Sequence, residues 1–405
     1  MNFKFKNKSG ITLIALIITI IVMLILVAVS ISVALNTGLF KSAGDATKNW
    51  KSAQDAEASV GSEIKIGDKT YSSIEDYLEG KEKLPEGAGK RFSETKEYTD
   101  GTKTAWIPAG FTVSEIRSET TIDGGLVIYD IPENEIENVK WDGTAKTKYN
   151  QFVWIPVEVN KTTEPKDTET SIANFYRSNW SNNARGTNLT ESTSYTEPNT
   201  TDDKTGIASQ IENLTKSIYK YGGFYIGRYE AGSETPRTKG TTERTSIGIK
   251  QDMFPYNYVK WGESMSNIGE VGAVALSNSM YNSSNYGATS MLCTGACWDS
   301  MLDFIKDTKS VTNSTDWGNY SDAEFDITRG SYAEYVNGTL GNFTPVKGTY
   351  KKELSKRILL TTGATERNSA KNIYDVAGNC SEWTTESYAS GTRVDRDRHL
   401  HHRWL

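Results

Sequence analysis

The chain has 405 residues, a formal net charge of −6 and 37% hydrophobic residues, which leaves room for two or more globular units of ordinary composition. The acidic balance argues against a nucleic-acid-binding surface, which needs clustered Lys and Arg, so no nucleic acid is expected as a partner. Three cysteines argue against a disulfide-stabilised scaffold.

An uncharged, mainly apolar run from Ile11 to Leu35 follows the basic residues Lys4, Lys6 and Lys8. About 25 helical residues exceed the roughly 20 that cross a bilayer core, and they exceed the apolar region of a secretory signal. Lysines before such a helix hold that end in the cytoplasm. The run therefore predicts a single-pass membrane protein, embedded in membrane lipid, with a cytoplasmic N-terminus and an extracellular head.

The residues around Gly10 and Ile11 resemble the N-terminus of type IV pilins and pseudopilins. The resemblance implies that a prepilin peptidase cuts between Gly10 and Ile11, leaving residues 1–10 as the leader, and that the mature helix packs with other pilin subunits. Ile11 stands where the family has phenylalanine, and Ala15 stands where it has glutamate. A tip-located minor subunit and a plain single-span anchor therefore remain alternatives to a filament subunit.

Beyond the apolar run, the pattern predicts a transmembrane and stalk helix over residues 11–64 and a β-rich linker region over residues 65–150. Residues 104–113 and 125–130 are rich in β-branched and aromatic residues and are bounded by glycine and proline, as strands are. Residues 160–206 are dominated by Thr, Ser, Asn and charged residues, which is typical of an exposed insertion. A short helix is expected directly after it, near 207–214.

Five segments in the second half of the chain resemble, in the same order, landmarks of the formylglycine-generating-enzyme or sulfatase-modifying-factor family, a branch of the C-type lectin-like fold. The most specific is Tyr374-Asp-Val-Ala-Gly-Asn-Cys-Ser-Glu-Trp383. The resemblance implies an α+β protein in which the long transmembrane helix and the β-rich region precede an irregular C-type lectin-like head over residues 151–392. The segments are 152–156, 223–231, 258–261, 297–305 and 372–384.

The loop from Asp375 to Glu382 is the candidate metal site, because calcium takes about six to eight oxygens from carboxylates and carbonyls, often from one tight loop. The resemblance implies that Asp375, Gly378, Cys380 and Glu382 hold Ca²⁺. Alternatively, Asp375 and Glu382 only cap the turn with hydrogen bonds. Cys293 and Cys297 supply two thiols without a neighbouring third ligand, so buried small side chains are expected there.

The family's enzymes oxidise a substrate cysteine with two cysteines near the C-terminal end and copper. This chain has no cysteine beyond Trp383, so neither copper nor catalysis is expected. The sequence therefore predicts a surface-exposed, membrane-anchored protein whose head binds an unknown extracellular ligand, such as a surface glycan, a host or phage protein, or another pilus subunit. The alternatives are a sulfatase-modifying-type enzyme and a structural pseudopilin of a secretion or uptake machine.

Residues 393–405 form an aberrant tail that contains every histidine of the chain, His399, His401 and His402, among many arginines. The family continues at this point with a strand that closes the core. We therefore expect a short, poorly packed tail that results from a lost reading frame near Val394 or from truncation. A histidine metal clip is the alternative, and it needs a fixed backbone.

Overall fold

The computed structural model describes residues 17–25, 64–66, 69–72, 77, 82–141, 143–159, 175–189, 206–241, 244–262, 272–281, 285–387 and 393–396. These residues contain both helices and strands, so the mixed α+β content of the prediction is found. The chain divides into two compact units, residues 1–83 and residues 84–405.

The predicted long transmembrane helix is not found among the described residues. Within the apolar run, the described residues 17–25 are helical. Among the described residues, no helix combines the length and the hydropathy needed to cross a membrane. The fold class with a transmembrane helix and the single-pass membrane location are therefore wrong. Residues 1–16 and 26–63 lie outside the described residues.

In the first unit, the antiparallel strands β1 (Ile64–Ile66) and β2 (Lys69–Tyr71) form a short hairpin. The ring of Tyr71 is buried and meets the ring of Tyr77 edge to face, with 5.2 Å between the ring centroids. Lys69 pairs with Glu82 at 2.6 Å. The described residues of this hairpin thus form strands at the start of the region predicted to be β-rich.

The second unit holds the remaining elements. Its helices are α1 (Ile122–Gly125), α2 (Thr144–Lys148), α3 (Ile207–Tyr221), α4 (Ala273–Met280) and α5 (Gly295–Ile305), with 3₁₀ turns at Arg117–Glu119, Glu133–Asn138 and Glu366–Asn368. Its strands are β3 (Lys96–Thr99), β4 (Thr104–Ile107), β5 (Thr112–Val113), β6 (Val127–Tyr129), β7 (Gln151–Pro156), β8 (Ser178–Ser181), β9 (Ala184–Asn188), β10 (Gly223–Gly227), β11 (Gly232–Ser233), β12 (Ile247–Gly248), β13 (Phe254–Pro255), β14 (Phe325–Ile327), β15 (Ser331–Val336), β16 (Thr339–Leu340), β17 (Thr344–Pro345), β18 (Tyr350–Lys352), β19 (Ile358–Leu360), β20 (Glu382–Ser387) and β21 (Arg393–Arg396).

A four-stranded antiparallel sheet in the order β10-β7-β6-β5 separates two layers of core. Because side chains alternate along a strand, Val153 and Ile155 of β7 join the cluster that contains α5, while Trp154 joins the cluster of β5 and β6 on the other face. The predicted boundary between residues 150 and 151 falls between two neighbouring strands of this sheet. The strands before it therefore pack together with those after it.

Helix α5 supplies the largest apolar face of the main core. The side chain of its N-cap residue Thr294 accepts a hydrogen bond from the backbone N–H of Cys297 at 3.0 Å, which satisfies one of the free donors of the first turn. Trp298, Met301 and Ile305 follow at three- and four-residue steps and are all buried. Helix α5 thus fills one side of the sheet with the face that its sequence pattern indicates.

The predicted exposed insertion contributes a hairpin to this core. Strands β8 and β9 pair antiparallel, and Phe175 and Trp180 pack against the cluster of α5. The indole N–H of Trp180 donates to Oδ1 of Asp299 at 3.2 Å. The described residues 175–189 therefore dock onto the head.

Further small sheets complete the second unit: β3-β4, β12-β11-β13, β14-β18, and β15 with β16, β17 and β19. Strand β21, at the start of the predicted aberrant tail, pairs antiparallel with β20, and Glu382 lies opposite Arg396. Residues 397–405, including the three histidines, lie outside the described residues. That the tail results from a lost reading frame near Val394 or from truncation stays a prediction.

Candidate functional site

The predicted calcium loop forms a buried turn. Asp375 is 1% exposed and has a left-handed backbone with a φ of 62°. Its Oδ2 accepts a hydrogen bond from the backbone N–H of Gly363 at 2.6 Å, while its Oδ1 is buried without a hydrogen-bond partner. Gly378 has a φ of 74°, and a Cβ there would lie 2.5 Å from the carbonyl oxygen of Asn319, so only glycine fits.

Glu230 binds this loop from the segment after β10, and the sequence analysis did not identify it. Its Oε1 accepts from the backbone N–H of Cys380 at 3.0 Å, and its Oε2 accepts from the side-chain amide of Asn379 at 2.7 Å. Asn379 also accepts from the backbone N–H of Leu360 at 2.8 Å, which joins the loop to β19. The sequence feature that could have identified Glu230 is its position in segment 223–231, one of the five segments that resemble the family.

Three acidic side chains influence one another here. Burial raises the pKa of Glu230 well above its usual range, and the charges of Asp375 and Glu382 raise it further. Burial raises the pKa of Asp375 to about 7, although the hydrogen bond from Gly363 and the charge of Arg329 oppose this. In the part of the chain that the structure describes, no Lys or Arg forms an ion pair with Glu230 or Asp375. These two carboxyls therefore favour the protonated form.

A cavity of about 210 Å³, here called the acidic cavity, lies against this loop. Glu230 and Glu382 line it together with two tryptophans, Trp298 and Trp383. Most of the remaining wall is apolar. It includes Ile226, Ile249, Val259, Leu276, Met301, Ile373 and Val376.

A larger cavity of about 520 Å³, here called the aromatic cavity, shares one wall with the acidic cavity. Its lining contains no Asp, Glu, Lys, Arg or His among the described residues. The shared wall consists of Ile226, Gly227, Ala231, Ile247, Ile249, Ser277, Leu292 and Cys293. The eight aromatic side chains of the aromatic cavity are Trp106, Phe111, Phe152, Trp154, Tyr221, Phe224, Tyr225 and Tyr281.

One ring pair, one hydrogen bond and one helix face shape the aromatic cavity. The rings of Trp106 and Tyr221 lie 5.2 Å apart, and the hydroxyl of Tyr225 donates to the carbonyl of Trp106 at 3.1 Å, which fixes this wall. Gln210, Asn213 and Ser217 recur at three- and four-residue steps on α3, so they lie on one face of that helix and supply polar groups. The described lining of this cavity thus combines aromatic and neutral polar groups.

Oδ1 of Asp375 is a buried carboxylate oxygen of this loop without a hydrogen-bond partner. Both oxygens of Glu230 already accept hydrogen bonds from the loop. Among the described residues, no group of three or more His, Cys, Asp or Glu side chains is placed to hold a metal ion. Calcium bound by Asp375, Gly378, Cys380 and Glu382 stays a prediction.

The three cysteines all lie in the described part of the chain and form no disulfide there: Cys297 is buried in α5, while Cys293 and Cys380 are half-buried in the wall of the acidic cavity. The expected lack of catalysis and of copper stays a prediction. Gly10 and Ile11 lie outside the described residues. Cleavage by a prepilin peptidase and assembly with pilin subunits therefore also stay predictions.

Comparison of the chain with known proteins found no matching protein family, no similar curated protein and no similar solved structure.

Proposed function

We propose that this chain is a non-catalytic binding protein whose second unit holds an uncharged oligosaccharide in the aromatic cavity. The observation that carries the proposal is the lining of that cavity, which combines eight aromatic rings with amide and hydroxyl groups and contains no charged residue among those described. The resemblance of residues 151–392 to C-type lectin-like domains supports the same class of function.

The chemistry of a sugar ring matches this lining. Its C–H faces are apolar and suit the faces of Trp106 and Tyr221, while its hydroxyl groups suit the amides of Gln210 and Asn213. The volume of about 520 Å³ lies within the roughly 300–1,000 Å³ of small-molecule sites. A charged ligand is disfavoured, because its charge would be buried without a partner.

The proposal is tested by screening the full chain against an array of neutral gluco-, galacto- and manno-oligosaccharides and of sialylated and sulfated ones. We expect binding of neutral members. Trp106→Ala and Tyr221→Ala should weaken the best of them by about tenfold or more, since buried aromatic contacts are worth more than 1 kcal/mol each. Tyr332→Ala, which removes a half-buried ring outside both cavities, is the matched control and should bind normally.

Two results would contradict the proposal: binding of acidic members alone, or unchanged binding by both cavity variants. The same titrations in EDTA should give the same affinity, because the described lining residues include no acidic side chain or histidine to supply a metal ligand.

A further inference from the structure

We infer that the aromatic cavity binds a linear, uncharged oligosaccharide lengthwise along α3, with one sugar ring at Trp106 and Tyr221 and the following sugars toward Gln210. The inference rests on the proposed function and deepens it, because it names the minimum length and the direction of the ligand. A row of polar side chains on α3 and a pair of aromatic rings at one end of that row support it.

The polar row consists of Gln210, Asn213 and Ser217, here called the α3 row, and all three residues line the aromatic cavity. With 3.6 residues per turn, positions three, four and seven apart fall on one face of a helix. At about 1.5 Å per residue, the row from Gln210 to Ser217 extends about 10 Å along the helix axis. The α3 row therefore offers hydrogen-bonding groups to the cavity over this whole distance.

The side chains of the α3 row are available to a ligand. Two of them belong to exposed residues and the third to a half-buried one, and no described residue forms a hydrogen bond with any of the three. Other hydroxyls of the lining are already engaged: that of Ser290 donates to the carbonyl of Ser277 at 2.6 Å, and that of Tyr281 donates to Asp130 at 2.8 Å. Amides and hydroxyls both donate and accept hydrogen bonds, so the α3 row suits the hydroxyls of a sugar.

The aromatic rings lie at one end of the α3 row. Tyr221 is the last residue of α3, four residues beyond Ser217 and therefore on the same face one turn later. Its ring centroid lies 5.2 Å from that of Trp106, and both residues line the cavity. The apolar C–H face of a sugar packs against such rings. One sugar is therefore placed beyond the Ser217 end of the row, and Gln210 lies at the far end.

The spacing of these groups sets a minimum length for the ligand. From Gln210 to Tyr221 the helix rises about 16 Å. A six-membered ring with its hydroxyl oxygens is only about 6–8 Å across, since its bonds are about 1.5 Å long. A monosaccharide at the aromatic rings therefore leaves Gln210 without a ligand. Because the α3 row follows the helix axis, a linear chain of sugars meets its side chains in succession.

The test is isothermal titration calorimetry of the full chain with glucose, cellobiose and cellotriose, and with the mannose and galactose series of the same lengths. In a series that binds, we expect the trisaccharide to bind about tenfold or more tightly than the monosaccharide, whose weaker affinity is measured by competition. Gln210→Ala should weaken the trisaccharide about threefold to tenfold and leave the monosaccharide unchanged, because only the longer ligand makes that hydrogen bond. Ser217→Ala, next to the aromatic rings, should weaken both.

Glu212→Gln is the matched control and should change no affinity, because Glu212 is exposed on the opposite side of α3 and lines neither cavity. Circular dichroism checks that each variant folds, and the comparison of chain lengths needs no variant. Equal affinity for monosaccharide and trisaccharide, an unchanged trisaccharide affinity in Gln210→Ala, or equal losses of both ligands in that variant would overturn the inference. These three results leave the proposed function standing, since a neutral sugar still binds, whereas binding of no neutral sugar overturns both.

Discussion

Glu230 binds the loop from Asp375 to Glu382 with both of its carboxylate oxygens. One oxygen accepts from the backbone of Cys380 and the other from the side chain of Asn379, and Asn379 has a left-handed φ of 72°. Asparagine tolerates this conformation better than most residues, and glycine at 378 tolerates it best. The turn at 378 and 379 is therefore set by local residue types, whereas its position is set by a side chain 150 residues away.

At the scale of single residues, Asp375 should make stability depend on pH. Its pKa is raised from 3.8 to about 7 in the folded chain, so its favourable contribution is full below about pH 4 and is lost as the pH rises to about 7. Asp375→Asn stays neutral and avoids this loss. We expect the variant to match the native chain at pH 4 and to exceed its free energy of unfolding at pH 8 by up to about 4 kcal/mol.

Urea unfolding from pH 4 to pH 8 in EDTA measures this difference. Parallel stability curves for the two proteins would show that Asp375 does not titrate in this range. Repeating the series with calcium tests the predicted metal site, because Ca²⁺ at Asp375 would stabilise the native chain at pH 8 and would not stabilise the variant.

At the scale of elements, one arginine connects β8, α5 and β20. Arg177, next to β8, pairs with Asp299 of α5 and with Glu386 of β20, and the two acids are 1% and 0% exposed. The backbone N–H of Ser178 also donates to Asp299 at 2.8 Å. This pairing explains how a polar insertion is anchored to a core helix. Arg177 offsets the free-energy cost of burying the carboxylates of Asp299 and Glu386.

We expect Arg177→Met to lower the free energy of unfolding by about 3–5 kcal/mol, because it leaves two buried carboxylates without their cation. Chemical denaturation measures the loss. The triple variant Arg177→Met, Asp299→Asn, Glu386→Gln removes all three charges and should recover most of it. Equal stability of the single variant and the native chain would show that the three charges are solvated in solution.

At the scale of the whole molecule, the chain separates at residues 83 and 84. Every residue of the five buried apolar clusters, among the residues described, belongs to the second unit, from Phe92 onwards. The described apolar clusters are therefore built from side chains of the second unit. Both cavities also belong to the second unit.

It follows that residues 84–405 expressed alone should unfold cooperatively, with a thermal midpoint within a few degrees of the full chain. Differential scanning calorimetry of both proteins measures the midpoints. A fragment that aggregates or unfolds without a cooperative transition would show that the first unit contributes to the stability of the second.

The sequence predicted those parts of the head that depend on neighbouring residues. Residues 104–113 and 125–130, which are rich in β-branched and aromatic residues, contain β4, β5 and β6, and the helix expected near 207–214 is the first half of α3, because these preferences depend on neighbouring residues. The same kind of reasoning failed at the N-terminus. Hydropathy there predicted a membrane-spanning length, but the described helical stretch covers only residues 17–25.

The sequence by itself indicated where β4, β5, β6 and α3 form. Only the tertiary structure brought Glu230 to the loop at Asp375, joined Arg177 to Glu386 across 209 residues, and enclosed eight aromatic rings in a cavity with no charged residue among those described. The physical reason is distance along the chain. Propensity and periodicity act over a few residues, whereas charge pairing and cavity shape depend on which distant segments are packed together.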